Sequence, residues 1–313
     1  MGKEHHPTGK SRRGGDDLWD LVPSTVHLRD VTLRDGLQSE SIVLDLGDKV
    51  SLARVMIDAG IREMEVTAFV HPEKVPAMAD AERLCRELPM RSSVIYSALV
   101  FNAKGLDRAL ETGVDQIAVF VSASDAQSRS NTGKGTAESL AEAQGVLTRA
   151  AKEDIKIRTG VISAFGCRLE GRISPARVSD LVRALHETGS EEMTLADTSG
   201  TADPHQILER VASCRSILGG TRLSLHLHDA TGWALANLTT ALQLGVDTFD
   251  VTLGGLGGCP FVPEAAGNLA IHRVVRFLGA MGIDTGIDLG GLQEGLSRLE
   301  RMVGRRLSPG DSP

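Results

Sequence analysis

Two histidines, His226 and His228, stand two residues apart in the apolar segment RLSLHLH. Side chains of a β-strand alternate between its two faces, so both imidazoles are expected on one face and Leu225 and Leu227 on the other. Neutral imidazoles are common ligands of divalent transition metals. On its own, the pattern leaves two interpretations open: a metal site, or a pair of hydrogen-bonded histidines without a metal.

Two further polar residues could complete a metal site if their segments lie beside this strand. Asp35 follows an apolar segment near the N-terminus, and Asn268 lies past the last predicted strand. Two nitrogen and two oxygen donors with open positions suit Mg²⁺ or Mn²⁺ better than structural zinc, which prefers thiolates. Catalytic zinc also fits this set. We therefore predict a divalent metal bound by Asp35, His226, His228 and Asn268.

Other polar residues near the predicted strand ends could act on a substrate held by such a metal. Arg34 could stabilise a developing enolate oxygen, and Asp197 or a metal-linked histidine could accept a hydroxyl proton. Cys259 lies in the glycine-rich segment GGLGGCPF, so its thiol is a candidate proton donor on a movable loop. Glu65 is expected either to orient Arg34 or a ligand, or to form a buried ion pair.

A repeated pattern predicts the elements that position these residues. Four apolar helical segments each end at a glycine that is followed by a short linker and an apolar strand. The glycines are Gly60, Gly113, Gly189 and Gly245. Glycine is common just past a helix end, where the backbone turns left-handed. Alternating helices and strands indicate an α/β fold with a parallel sheet.

Eight strands are predicted, spaced by roughly 30 residues, which fits one (β/α)8 barrel of TIM type. They cover residues 24–33, 63–69, 93–100, 115–122, 156–163, 192–197, 222–228 and 248–253. A doubly wound open sheet is the alternative, but the segment TLRDGLQ lacks the glycine turn that binds phosphate in that fold. In a barrel, the active site lies at the C-terminal ends of the strands, where most of the polar candidates fall.

The chain is predicted to be a single domain with short disordered tails. Residues 1–22 are rich in charged residues, glycine and histidine without periodicity, which is typical of a disordered tail. Residues 23–303 are expected to form the catalytic barrel with C-terminal helices. Residues 304–313 are expected to form a flexible tail.

Composition and charge exclude several kinds of partner. Lys and Arg number 34 against 41 Asp and Glu, so the net charge of -7 argues against a nucleic-acid partner. No stretch of about 18 apolar residues occurs, so no membrane association is expected. The polar N-terminus and the four cysteines without paired spacing favour a cytoplasmic protein with reduced thiols.

Several stretches, in order along the chain, resemble the 3-hydroxy-3-methylglutaryl-CoA lyase family. They are TLRDGLQSE, EVTAFVHPEKVPAMADAE, LEGRISPARV, LADTSG, HLHDATGWALANLTTALQLGVDTFD, GGLGGCPF and AAGNLA. The similarity extends from about residue 25 to about residue 300. The resemblance implies a TIM-type barrel, an acyl-CoA substrate, a homodimer, and metal-dependent cleavage of 3-hydroxy-3-methylglutaryl-CoA to acetyl-CoA and acetoacetate.

The resemblance also implies roles for individual residues. The metal ligands that it implies are Asp35, His226, His228 and Asn268. It makes Arg34 the group that stabilises the enolate and Cys259 the general acid, while His226 shares in proton transfer. It places Asp197, Glu65 and Gln38 in the active site, and Gln38 is a residue that the pattern of strand ends had not indicated.

The sequence departs from the usual pattern of these lyases in three loops. The loop after the fifth strand reads GCRLEG, where the lyases generally carry proline and an aromatic residue before EG. Ile271 and His272 follow GNLA in place of an acidic stretch, and the loop SASDAQSRSNTGKGTAES differs in its polar residues. Because such loops shape the substrate pocket, a longer-branched 3-hydroxy-3-alkylglutaryl thioester is an alternative substrate.

Two other functions remain as alternatives. A condensing synthase of the same fold would form the carbon–carbon bond with a 2-oxo acid, but GGCP is typical of the lyases and the chain ends soon after the predicted barrel. A protein that binds a metal or a CoA ester without turnover would not be expected to keep the full polar set. That set is Arg34, Asp35, Asp197, His226, His228 and Cys259.

Overall fold

Eight parallel strands close into a barrel in the computed structural model, which describes residues 21–257 and 267–307. Each strand pairs with the next along the chain, and the eighth pairs with the first. The strands are β1 (His27–Asp30), β2 (Glu63–Phe69), β3 (Ile95–Val100), β4 (Gln116–Ser122), β5 (Lys156–Ile162), β6 (Glu192–Asp197), β7 (Arg222–Leu227) and β8 (Thr248–Val251). The predicted (β/α)8 barrel is confirmed.

Helices connect the strands and cover the outside of the barrel. Those described are α1 (Leu46–Asp58), α2 (Ala81–Glu87), α3 (Ala103–Leu110), α4 (Asp125–Thr132), α5 (Thr136–Ala150), α6 (Pro175–His186), α7 (Pro204–Leu218), α8 (Ala234–Gln243), α9 (Ile271–Ala280) and α10 (Leu289–Val303). Several begin at a side-chain cap, as Ser174 and Asp203 do for α6 and α7. Across the described ranges, no helix is long and apolar enough to cross a membrane.

The first strand is shorter than the predicted 24–33, for a local reason. The carboxylate of Asp30 accepts hydrogen bonds from the N–H (2.9 Å) and the hydroxyl (2.7 Å) of Thr32. This bonding turns the chain out of the strand and into a short π-helix, Thr32–Gly36. The turn carries Arg34 and Asp35, so it sets where both side chains enter the barrel mouth.

Much of the barrel interior is charged, whereas most barrels of this type fill it with branched aliphatic side chains. The guanidinium of Arg29, fully buried, contacts Glu63 (2.8 Å), Glu192 (2.7 Å) and Asp250 (2.9 Å). Aliphatic side chains instead fill the layer between strands and helices, where Leu225 is completely buried. Buried charges persist in a fold when each is paired, as these are.

The predicted division into one barrel with two tails stays a prediction. Helix α10 ends at Val303, the last residue of the predicted barrel segment. Residues 1–20 and 308–313, which make up most of the predicted tails, lie outside the described residues.

Candidate functional site

The two histidines of β7 meet at the C-terminal mouth of the barrel. Both are buried, and their Nε2 atoms lie 3.0 Å apart. Leu225 and Leu227 point the other way, into the aliphatic layer, as the alternation of strand side chains predicts. His226 Nδ1 lies 3.2 Å from a carboxylate oxygen of Asp250. Because a carboxylate can only accept, Nδ1 carries the proton and Nε2 presents its lone pair.

Asp35 lies opposite the two imidazoles. Its Oδ2 atom is 3.8 Å from Nε2 of His226 and 3.9 Å from Nε2 of His228. Asn268 Nδ2 donates hydrogen bonds to Asp35 Oδ2 (2.7 Å) and to the carbonyl of Leu256 (3.0 Å). The structure therefore brings together all four residues predicted as metal ligands.

These donors fit a divalent metal. Ligand atoms of Asp35, His226 and His228 lie within 4.8 Å of one another, so the three side chains could hold one ion. Asn268 Oδ1 is buried without a hydrogen-bond partner in the part of the chain that the structure describes. The carboxylate of Asp250 fixes the orientation of the His226 ring by accepting a hydrogen bond from Nδ1. Metal-binding histidines commonly donate their other ring N–H to a carboxylate in this way.

The electrostatics of the cluster favour a carboxylate ligand. Burial would raise the pKa of Asp35, but Arg34 and the two histidines outweigh burial and hold that pKa well below its usual range. Burial lowers the pKa of His226, but its hydrogen bond to Asp250 and the charge of Asp35 outweigh burial, so the pKa is raised. Asp35 is thus ionised at neutral pH and available to a cation.

Arg34 is held on two sides beside this cluster. Its Nη1 contacts Asp35 and its Nε contacts Glu65. The second oxygen of Glu65 pairs with Arg158, whose Nη1 lies 3.3 Å from Asp250. Glu65 therefore both orients Arg34 and belongs to a buried ion-pair network that reaches His226 through Asp250.

Asp250 and Arg158 also belong to the site, although the sequence pattern did not indicate them. A signal was present, because each is a charged residue in the middle of an apolar strand. Such a residue on an interior-facing position needs a partner of opposite charge. The sequence does not name the partner, since Arg158 and Asp250 are 92 residues apart.

Asp197 lies at the end of β6, and its bonds run to the loop that follows. Its carboxylate accepts hydrogen bonds from the N–H of Ala202 (2.9 Å) and the hydroxyl of Ser199 (3.2 Å). Burial raises its pKa, although these hydrogen bonds act in the opposite direction. The same loop contains Gly200, where an added Cβ would lie 3.0 Å from Cβ of His228. Asp197 therefore fixes a loop that packs on a predicted metal ligand.

The glycine-rich segment approaches the cluster closely. At Gly257, with φ +100°, an added Cβ would lie 2.5 Å from Asn268 Nδ2 and 3.0 Å from the carbonyl of Asp35. Only glycine allows this approach in this backbone conformation. Gln38 is half-buried in the turn just after the π-helix. Cys259 lies outside the described residues.

Comparisons with known proteins agree with this arrangement. The HMGL-like family model matches residues 25–298. The chain is 37% identical to hydroxymethylglutaryl-CoA lyase YngG of Bacillus subtilis (strain 168), over 91% of this chain and 95% of that protein. It is also 37% identical to the hydroxymethylglutaryl-CoA lyase of Pseudomonas mevalonii, over 89% of this chain and 93% of that protein.

Solved structures of hydroxymethylglutaryl-CoA lyases are also similar to this chain. The crystal structure of hydroxymethylglutaryl-CoA lyase from Pseudomonas aeruginosa has a TM-score of 0.89 and 34% identity, covering 93% of this chain and 97% of that one. An HMG-CoA lyase from Acinetobacter baumannii, solved with coenzyme A and 3-methylmalate, has a TM-score of 0.88 and 31% identity, covering 92% and 94%. From its sequence match and its fold, the chain belongs to the HMGL-like family.

Proposed function

We propose that the chain is a divalent-metal-dependent carbon–carbon lyase that cleaves 3-hydroxy-3-methylglutaryl-CoA to acetyl-CoA and acetoacetate. The observation that carries the proposal is the meeting of Asp35, His226 and His228 beside Arg34, in a chain similar to hydroxymethylglutaryl-CoA lyases along most of its length. The metal is Mg²⁺ or Mn²⁺, because carboxylate, amide and imidazole donors with open positions suit these ions.

The reaction needs a base, a site for negative charge and an acid. A retro-Claisen cleavage removes the proton of the tertiary hydroxyl, breaks the adjacent C–C bond and leaves a thioester enolate that must be protonated at carbon. When bound, the divalent cation supplies Lewis acidity toward the hydroxyl and carboxylate oxygens of the substrate. The groups on the chain supply the rest.

His226 is proposed as the group that accepts the hydroxyl proton. Its Nδ1 faces Asp250, so Nε2 is the ring nitrogen open to the site, and Nε2 can accept the substrate proton only while it is not bound to the cation. The same carboxylate stabilises the imidazolium that results. Asp197, the other proposed base, is engaged by its own loop, which supports a positioning role within the active site.

Arg34 is proposed to stabilise the enolate oxygen. Glu65 and Asp35 hold the guanidinium in place before the substrate arrives, so little reorganisation is needed when charge develops. Gln38, in the turn after the π-helix, is proposed to bind the substrate. Cys259 is proposed as the acid that protonates the enolate carbon, because the segment GGLGGCP resembles the thiol loop of the lyases.

The remaining assignments rest on coarser support. An acyl-CoA substrate fits the coenzyme A complex of the related Acinetobacter baumannii lyase. Cys85, Cys167 and Cys214 are free thiols, which suits the reducing cytoplasm proposed as the location. A homodimer is proposed from the family resemblance alone.

A product assay tests the proposed function. Purified protein is incubated with 3-hydroxy-3-methylglutaryl-CoA and Mg²⁺ or Mn²⁺, with a chelator-treated control, and the products are identified by mass spectrometry. Acetyl-CoA and acetoacetate in equal amounts are expected only when metal is present. Folded, metal-loaded protein that releases neither product would overturn the proposal.

A further inference from the structure

The barrel mouth has two chemically different halves. The half formed by β7, β8 and β1 holds the histidines, Asp250 and the turn with Arg34 and Asp35. The opposite half, formed by β2, β3 and β4, carries a separate hydrophobic cluster. We name four residues of it, all on the inner face of these strands, the apolar wall. They are Ala68, Leu99, Ala118 and Phe120.

Strand pairing shows that the apolar wall faces the barrel interior. Arg158 points inward, since it contacts Glu65 and Asp250 on other strands. Arg158 pairs with Ala118, and Gly160, two residues further on, pairs with Phe120. Side chains of directly paired residues lie on the same face of a sheet. Leu99 pairs with Ala118, and Ala68 with Leu99, so both face inward as well.

Phe120 stands at the top of this wall and is fixed in place. Every other residue of β4 is buried, whereas Phe120 keeps part of its surface accessible. Cζ of Arg158 lies 5.1 Å from the ring centroid, a cation–π contact. At Gly160 an added Cβ would lie 2.6 Å from two ring carbons, so the ring occupies space that a side chain would fill in any other residue.

Arg158 also ties the ring to the reacting groups. The guanidinium under the ring is paired with Glu65, which holds Arg34, and with Asp250, which holds His226. One carboxylate, Glu65 or Asp250, therefore separates the guanidinium under the ring from Arg34 and from His226. A substrate that reaches His226 and Arg34 meets the apolar wall on its other side.

We propose that Phe120 determines which alkyl group the enzyme accepts on the hydroxyl-bearing carbon of its substrate. The inference rests on the proposed function. Of the four groups on that carbon, the hydroxyl, the carboxylate arm and the thioester arm are polar or carry polar groups. The alkyl group alone gains by leaving water for an apolar surface, so it packs on the apolar wall. The ring of Phe120 limits its length and favours methyl over longer chains.

The test compares substrates with methyl, ethyl and propyl groups at this position. Shortening the side chain in Phe120→Ala should raise kcat/KM for the propyl substrate relative to the methyl substrate by about tenfold or more, the range that one or two methylenes give in an apolar pocket. Val119→Ala is the matched control. Val119 is the next residue on the same strand, is buried and faces the helices, so its variant should keep the wild-type ratio.

Two further variants keep the test decisive. Phe120→Leu covers the case in which the alanine variant does not fold, and it should shift the ratio in the same direction. Gly160→Ala pushes on the ring, so it should lower kcat/KM for the methyl substrate, and less so when Phe120 is alanine. Wild-type protein that cleaves the methyl substrate, with folded Phe120 variants of unchanged ratio, would overturn this inference alone. Wild-type protein that cleaves none of the thioesters would overturn the proposed function.

Discussion

At the scale of single residues, Asp250 matters as much as the groups that would touch a metal. It accepts from Nδ1 of His226 and is itself held by Arg29 (2.9 Å) and Arg158 (3.3 Å). The two guanidiniums keep the pKa of Asp250 far below its usual range, although its burial acts in the opposite direction. Asp250 is therefore always an acceptor, and the ring of His226 has one orientation and one tautomer.

This arrangement predicts the effect of Asp250→Asn. The amide keeps the shape of the side chain but removes the negative charge that makes His226 a strong ligand. We expect the affinity for Mn²⁺ to fall about 10- to 100-fold, as measured by isothermal titration calorimetry of metal-free protein. Asp247→Asn, at the residue before β8, is the control and should bind Mn²⁺ as the wild type does. Unchanged affinity in a folded Asp250 variant would refute the supporting role.

At the scale of elements, the site depends on how closely the segment after β8 approaches the turn after β1. Gly257 lies against Asn268 and the carbonyl of Asp35 with no room for a Cβ. The approach brings the amide of Asn268, which follows β8, to the carboxylate of Asp35, which follows β1. These two strands pair where the barrel closes. The short π-helix and the glycine segment thus assemble the cluster together.

Gly257→Ala is expected to disturb the metal ligands as well as the backbone. The new Cβ must displace Asn268 or Asp35, so Mn²⁺ affinity should fall at least tenfold. Gly113→Ala separates the two effects, because Gly113 also has a positive φ (+72°) but no atom near its added Cβ. That control should lose about 1–2 kcal/mol of unfolding free energy and keep its affinity for Mn²⁺. Equal Mn²⁺ affinities in the two variants would count against the close-approach argument.

The sequence predicted the elements well and their contacts less well. The helix–glycine–strand pattern and the spacing of apolar segments were enough for the barrel, and the alternation of side chains was enough for His226 and His228. The first strand was predicted too long because the side chain of Asp30, which turns the chain, looks like any other carboxylate in the sequence. The partners of Arg158 could not be predicted, since they depend on strand register across 92 and 93 residues.

At the scale of the whole molecule, the charged interior links the stability of the barrel to its site. Arg158 is completely buried and pairs with both Glu65 and Asp250. Removal of one member of such a network leaves its partners charged in a place without water. The network therefore stabilises the fold only while it is complete. Its two carboxylates, Glu65 and Asp250, also position Arg34 and His226.

Arg158→Met tests this dependence. We expect the free energy of unfolding, measured by urea denaturation, to fall by about 3–5 kcal/mol, because two buried carboxylates lose a partner. Arg172→Met, at an exposed position, should change it by no more than about 0.5 kcal/mol. If Arg158→Met lowered the free energy of unfolding as little as Arg172→Met, the fold would not depend on the charge of Arg158.

The most direct test of the central claim is a metal titration of the reaction itself. Chelator-treated protein is given increasing Mn²⁺, and cleavage of 3-hydroxy-3-methylglutaryl-CoA is measured beside Mn²⁺ binding, for wild type and for His228→Ala. We predict that wild-type cleavage rises with occupancy and saturates at one ion per chain, while the variant binds weakly and cleaves little. Full cleavage by metal-free protein, or by His228→Ala, would contradict the account.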